Sequence, residues 1–463
     1  MIEGIDKMAR RELLMAAAAL PLAGAFAARG AFASPRVPEP SPGLDADEAA
    51  IRAAFFYGFP LYEFARVEQT LGQGMGRASG LNTVTRRAQL SGPESRNVTA
   101  PNNDTVYASS FLELSGGPVE VSVPTIPDRY FSIAFMDAFT DNFAYVGTRA
   151  TKGRGGRFWI AGPQWRGRAP SGVRVLRSST NDVWMLGRIL VEGPGDLPAA
   201  AALLEQVRVS VPGAPREPRG YTARATTGIP DPANFLAVVN EVLRRSPGGL
   251  GQTARAARFR SQGIGADKPS PELLARWAAF FPKGYQELRE GFLFRDLVVG
   301  GWTYQARGVG DFGSNDRLRA LVALGGIAAL SEKEAMYFHA NFDGAGQQLT
   351  GATPYRWRVP PGGVPARAFW SLTMYDPQPD GRYFLVENPL NRYSIGDRTP
   401  GLVYEPDGSL IVPIQHERPE GRLAPNWLPA PKGPMRLALR AYLPKPELQA
   451  RKWRVPPLEQ AAP

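Results

Sequence analysis

Residues able to carry acid–base chemistry gather in one short run of the chain. Pro101-Asn102-Asn103-Asp104-Thr105-Val106-Tyr107 sets two amides, a carboxylate, a hydroxyl and a phenol within a few positions. Asp137, Asp141 and Arg149 follow at the ends of apolar runs. Asn103, Asp104, Tyr107, Asp137 and Arg149 therefore form the candidate catalytic set, with Asn102 beside them as a substrate contact. A second set lies near the C-terminus. Trp370, Tyr375, Asn388, Asn391, Arg392, Tyr393 and Trp427 mix aromatic faces with amides and a guanidinium, which suits stacking of a flat ligand. Paired carboxylates can act as acid and base in glycoside cleavage or hold a divalent cation. The same Asp and Asn residues are also ordinary turn formers. The sequence names no metal and no other cofactor.

Other chemistries are closed. The chain has no Cys, so disulfides, thiolate catalysis and Cys-ligated metal or haem are excluded. Its only histidines are His339 and His416, which rules out a three-His zinc site. No Gly-x-Ser-x-Gly elbow occurs, and a Ser-His-Asp triad would have to use one of those two. His339 sits in a period-two run and reads as a strand histidine with its hydrogen bonds met.

The elements that must hold these residues are strands. Residues 131–137 alternate so that Phe131, Ile133 and Phe135 share a face. Parity puts Asn103, Thr105 and Tyr107 on one side and Asp104, Val106 and Ala108 on the other. Asp104 then needs a partner, and Arg149 and the Tyr107 hydroxyl are the candidates if the chain curls at the loop. The layout recurs in the second half. Asp104-Thr105-Val106-Tyr107 matches Glu334-Ala335-Met336-Tyr337, and Phe131 to Asp137 matches Trp370 to Asp376. Gly147-Thr148-Arg149 matches Gly396-Asp397-Arg398, and Arg188 aligns with Arg436. Two copies of one β-unit are expected, with Arg149 and Arg398 pairing to Asp137 and Asp376.

The fold class is thus a β-rich α+β protein. It has two similar antiparallel β-sandwich, jelly-roll-like units, a helical segment between them and an N-terminal helix. The expected division is a signal at 1–33, a linker and helix at 34–96, a first unit at 97–210, helices at 211–332, and a second unit with its tail at 333–463. Within these, 45–71 reads as a helix that Pro60 kinks or ends. Helices are also expected at 196–210, 232–245, 271–281, 285–299 and 315–330.

This arrangement resembles an exported two-domain bacterial family, catalogued as domain of unknown function 1254 followed by domain of unknown function 1214. The resemblance rests on Asn102-Asn103-Asp104-Thr105-x-Tyr107, Val121-x-Val123-Pro124 and Arg129-Tyr130-Phe131-Ser132. It continues in Phe369 to Asp376, Asn388 to Arg398 and Asn426 to Pro431. It implies β-rich domains with helical additions and no particular reaction.

Ala9-Arg10-Arg11-Glu12-Leu13-Leu14 is a twin-arginine pattern, followed by an Ala-rich run and Ala31-Phe32-Ala33. A periplasmic protein cut near Ser34 is expected, with no transmembrane span in the mature chain. The net charge is +11 and reads as scattered, so no nucleic-acid partner is expected. A homo-oligomer is left open. The functional expectation is an exported enzyme acting on a small apolar or aromatic substrate in a pocket at strand ends, by hydrolysis first. A cofactor-independent oxygenase and a non-catalytic envelope or glycan-binding protein are the alternatives.

Overall fold

The computed structural model describes residues 45–73, 80–96, 99–214, 216–266, 268–378 and 382–461. The segment read as an export signal lies outside the described residues. None of the described helices is long and apolar enough to cross a membrane.

The first helix, α1 (Ala46–Gln73), runs unbroken through Pro60. Proline removes one backbone bond, but Phe55, Phe59, Leu61 and Tyr62 on either side are fully buried and hold the helix in place. After it come β1 (Thr85–Arg87), β2 (Thr105–Glu113), β3 (Val119–Val123), β4 (Phe131–Asp137) and β5 (Asn142–Gly147). Next are β6 (Gly156–Ala161), β7 (Val173–Arg177), β8 (Asp182–Leu190), α2 (Leu197–Glu205) and β9 (Arg208–Ser210). The helical segment comprises α3 (Pro232–Arg245), α4 (Leu250–Ala257), α5 (Pro271–Phe292) and α6 (Asp316–Gly326). Asp231, Ser270 and Asn315 cap α3, α5 and α6 through their side chains. α5 joins what the sequence divides at Pro282, because Phe281 and Tyr285 pack into one aromatic cluster with Phe55 and Phe235. Strands β10 (Val298–Val299) and β11 (Trp302–Tyr304) precede α6.

The second unit holds β12 (Ala335–Ala340), β13 (Tyr355–Val359), β14 (Ala366–Pro377), β15 (Tyr383–Leu385) and β16 (Ser394–Gly396). It continues with β17 (Leu410–Gln415), β18 (Leu428–Pro429), β19 (Arg436–Pro444), the short α7 (Pro446–Gln449) and β20 (Leu458–Gln460).

Sheet I is β1-β2-β8-β4-β5 and sheet II is β7-β6-β3-β9. They enclose Val106, Val121, Ile133, Phe158 and Met185. Sheet III is β10-β11-β12-β19-β14-β15 with β16 also on β14, and sheet IV is β18-β17-β13-β20. They enclose Met336, Trp357, Leu372, Val412 and Leu439.

The two units repeat one topology. The order β2-β8-β4-β5 recurs as β12-β19-β14-β16, and β7-β6-β3-β9 recurs as β18-β17-β13-β20. Even the exceptional parallel pairs correspond, β6 with β7 and β17 with β18. Gly147 lies opposite Ser132, and Gly396 opposite Ser371. A Cβ on Gly147 would sit 2.3 Å from the Phe131 carbonyl oxygen, and one on Gly396 would sit 2.2 Å from that of Trp370. Both copies need glycine for the same close approach. One sequence alignment is corrected. Tyr107 and Ser132 flank Arg188, while Tyr337 and Ser371 flank Arg440, so Arg188 corresponds to Arg440 and not to Arg436.

Strand parity sets what lies between the units. Thr105, Tyr107, Ser132 and Arg188 leave sheet I on the side away from sheet II. At one end of that side Phe111, Met136 and Trp184 pack under α1 and α3. At the other end Tyr130, Ala134 and Leu190 meet Phe369 and Tyr442 of sheet III. The sheets therefore stack in the order II, I, III, IV, and the seam between I and III is polar.

Candidate functional site: an arginine–tyrosine chamber between the β-units

Two carboxylates hold the ends of the seam. Asp104 accepts from Arg398 Nη2 at 3.0 Å and from Ser371 Oγ at 2.6 Å. Its counterpart Glu334 accepts from Arg149 Nε at 2.6 Å and from Tyr130 OH at 2.9 Å. Arg149 and Arg398 are themselves counterparts. Each unit's carboxylate is thus held by the other unit's arginine, the reciprocal contact that a two-fold axis generates in a dimer. Burial pushes the Glu334 carboxyl above its usual range, and Arg149 and the Tyr130 hydroxyl pull it back.

Two further guanidiniums lie inside. Arg440 donates from Nη1 to Thr373 Oγ1 at 2.9 Å, and from Nη2 to Tyr375 OH at 2.8 Å and the Ala100 carbonyl at 3.2 Å. Arg188 stands 5.5 Å from the centre of the Tyr107 ring and reaches the Ala328 carbonyl only at 3.5 Å. Its Nη1 is buried with no partner among the described residues. Neither arginine forms an ion pair there with a described carboxylate. Arginine stays charged in proteins, and a buried charge without a counter-charge is costly.

Glu334 and Asp104 act on Arg188 and Arg440 only at a distance, and the other titratable neighbours are neutral. Burial pushes the hydroxyls of Tyr130, Tyr337, Tyr375 and Tyr442 above the ordinary phenol range, so they remain protonated. Burial, reinforced by Arg436 and Arg440, pushes His339 well below its usual value and leaves a neutral imidazole. Its Nδ1 has no partner among the described residues, and neither do Thr105 Oγ1 and Ser132 Oγ. The expectation of a satisfied strand histidine is overturned: the face of β12 that carries His339 looks into the seam, where Nδ1 is left without a hydrogen bond among the described residues. Tyr337 and His339 lie deep in the molecule yet keep part of their surface uncovered, as do Tyr107 and Ser109 opposite. We infer from this partial exposure that they line a chamber between sheets I and III.

The expected site residues divide. Asn102 donates to Tyr442 OH at 2.7 Å, and Tyr375 OH donates to the Pro101 carbonyl at 2.7 Å, so both belong to the seam with Asp104 and Tyr107. Arg149 is at the seam but pairs with Glu334, and Asp104 takes Arg398, contrary to the sequence-based pairings. The bend at Asn103 and Asp104 breaks strand parity before β2 begins and turns the carboxylate towards sheet III. Asn103 is turned away and donates to the Ser91 carbonyl.

Asp137 is at the far end, under the helices. It accepts from the Phe139 and Asp141 amides and from Ser179 Oγ, the pattern of a turn former. Burial, with Asp141 adding to it, raises its pKa to about 7. Asp137 thus holds its proton more tightly folded than unfolded. Between pH 4 and 7 the unfolded chain gives up that proton first, so this residue's contribution to stability falls as pH rises. Asp137→Asn is expected to flatten the slope in denaturant midpoints measured across that interval. An unchanged slope would show that Asp137 is ionised throughout.

The aromatic set near the C-terminus is structural apart from Tyr375. Trp370 points with Leu372 and Met374 into the core between sheets III and IV. Trp427 Nε1 donates to the Gln415 carbonyl. Asn388 accepts from the Leu390 and Arg392 amides, Arg392 donates to the Pro425 and Trp427 carbonyls, and Tyr393 OH donates to Asn391 Oδ1. These bonds fix a loop and leave the chamber untouched. Arg188, Arg440, Tyr337, Tyr442 and His339 were not singled out as site residues. Their shared signal is polar residues at alternate positions of otherwise apolar strands. Among the described residues no group of three or more His, Asp or Glu could hold a metal ion.

A crystal structure of the VPA0106 protein from Vibrio parahaemolyticus matches with a TM-score of 0.70 at 24% identity, covering 90% of this chain and 100% of that one. The likeness establishes the fold. A crystal structure from Burkholderia cenocepacia matches at a TM-score of 0.44 and 12% identity, covering 91% of each chain. No curated protein matches the chain. The family described as protein of unknown function DUF1254 matches residues 81–211, the first β-unit, and the family described as protein of unknown function DUF1214 matches residues 334–446, the second. The chain belongs to the proteins that join a DUF1254 unit to a DUF1214 unit.

Proposed function

We propose that the chamber binds a small organic acid with an apolar, aromatic body, and that the protein is an exported enzyme acting on it by proton transfer. The observation that carries this reading is the pair of orphaned buried groups, Arg188 Nη1 and His339 Nδ1. A carboxylate would supply the direct ion pair that Arg188 lacks, since Glu334 acts on it only at a distance. The partly uncovered rings of Tyr107 and Tyr337 offer flat apolar faces to the rest of the molecule. A neutral imidazole accepts a proton. It could activate a water for hydrolysis, the leading reaction. Removal of a carbon-bound proton, the opening step of a cofactor-independent oxygenation, would use the same two residues. Ser371 does not fit the role of nucleophile, because its hydroxyl donates to Asp104.

The test is retention. The purified protein is incubated with a panel of aromatic carboxylic acids and their matching amides, then examined by native mass spectrometry. Acids retained in preference to amides are expected. Equal retention of both, or of neither, would remove the proposal.

Export is tested separately. Replacing Arg10 and Arg11 with Lys is expected to strand the protein in the cytoplasm, since the pathway reads the arginine pair rather than its charge. Periplasmic recovery equal to that of the unaltered protein would remove the twin-arginine reading.

A further inference from the structure

The stretch from Lys152 to Arg177 contains seven cations and no acid, so it holds most of the chain's net charge of +11. The positive excess, read as scattered, is in fact concentrated. All seven cations are exposed. The fold brings them together because β6 and β7 run in parallel at the edge of sheet II, with Arg157 opposite Val173 and Arg177 opposite Ala161. The connecting loops add Lys152, Arg154, Arg166 and Arg168 to the same edge.

Acids do not neutralise this edge. Among the described residues, Arg157 alone of the seven forms an ion pair, with Glu120. Arg174 and Arg177 donate instead to the carbonyls of Gly155 and Trp165. Beside them is a surface hollow of about 470 Å³ whose lining includes Lys152, Arg154 and Arg174. Two half-buried tryptophans lie on the same edge. Trp159 and Trp165 meet at 5.9 Å between ring centres, and Arg177 stands 5.4 Å from the Trp165 ring. Glu120 completes the group, accepting from Trp159 Nε1 at 2.9 Å and from Arg157.

We propose that this edge of sheet II is a docking surface for an acidic polysaccharide. The exposed guanidiniums match carboxylated or phosphorylated sugars by charge and geometry. Indole faces stack on sugar rings. Glu120, bonded to Arg157 and Trp159, fixes the guanidinium and the indole against which a sugar ring would lie. The surface lies on sheet II, on the opposite side of sheet I from the chamber, so the inference stands apart from the proposed chemistry.

The test titrates the full chain with fluorescently labelled polygalacturonate at low ionic strength, with neutral dextran as control. Binding of polygalacturonate alone is expected, weakening as salt is added. The double variant Arg166→Glu, Arg168→Glu is expected to bind ~10-fold or more weakly, since like charges are then opposed. Trp165→Ala is expected to weaken binding severalfold. Both variants should melt at the temperature of the unaltered protein, which shows that they are folded. Equal binding by the unaltered and charge-reversed proteins, or no binding by either, would overturn the proposal. So would tighter binding of single-stranded DNA or of anionic phospholipid vesicles.

Discussion

Glu334→Gln is expected to cost about 3–5 kcal/mol of stability, the usual consequence of removing one member of a buried ion pair. The Glu334 side chain is 1% exposed, and it holds Arg149 Nε and the Tyr130 hydroxyl, both from the other unit. The amide keeps the shape of the carboxylate but not its charge, and it leaves a guanidinium and a phenol facing a weaker acceptor. Asp104→Asn should behave alike, because Arg398 and Ser371 converge on Asp104 from the second unit. That result would place Asp104 in the scaffold rather than among the reacting groups. The pair Arg358 and Asp407 is a control. Both side chains are more than half exposed, and Asp407→Asn should leave the urea midpoint close to that of the unaltered protein. Urea unfolding of the three variants measures all of this. A loss below about 1 kcal/mol for Glu334→Gln would mean that the reciprocal pairs do not hold the units together.

Arg188→Met is expected to separate stability from binding. The variant removes a buried guanidinium that forms no ion pair among the described residues and whose closest contacts are the Tyr107 ring and one distant carbonyl. Replacing buried charge with apolar volume is often neutral or stabilising, by about 1–4 kcal/mol. The melting temperature should therefore hold or rise. Retention of an aromatic acid should fall by about 2–5 kcal/mol of binding energy, the range for truncating one partner of a buried charge contact. A structural arginine would show the opposite pattern, with lower stability and unchanged retention. Arg440 supplies the comparison, because its donors are already taken by Thr373, Tyr375 and the Ala100 carbonyl. Arg440→Met strands those acceptors and should destabilise.

Much of this architecture was legible in the sequence. Alternation placed Val106 and Ala108 in a core and Tyr107 on the opposite face. The repeat correctly paired Tyr107 with Tyr337, Ser132 with Ser371, and Gly147 with Gly396. Its limit was register. Arg436 and Arg440 share strand parity, so periodicity alone could not choose which of them answers Arg188, and only hydrogen-bonded pairing could. Partners across the seam were hidden for a different reason. The sequence offers Asp104 an arginine of its own unit, Arg149, whereas the two-fold relation of the units exchanges their arginines, and no local pattern encodes that exchange. Pro60 and Pro282 read as helix ends, yet tertiary burial of the aromatic residues beside them outweighs the lost backbone bonds. The polar C-terminal aromatics suggested a cleft because composition cannot tell a ring that faces a loop from one that faces a ligand.

The most direct measurement is a crystal structure of the protein grown with the most tightly retained aromatic acid. The expected result is the acid between sheets I and III, its carboxylate on Arg188 Nη1 and its body among Tyr107, Tyr337 and His339. Density for the acid only on the outer faces of the sheets, with the seam closed around Arg188, would contradict it.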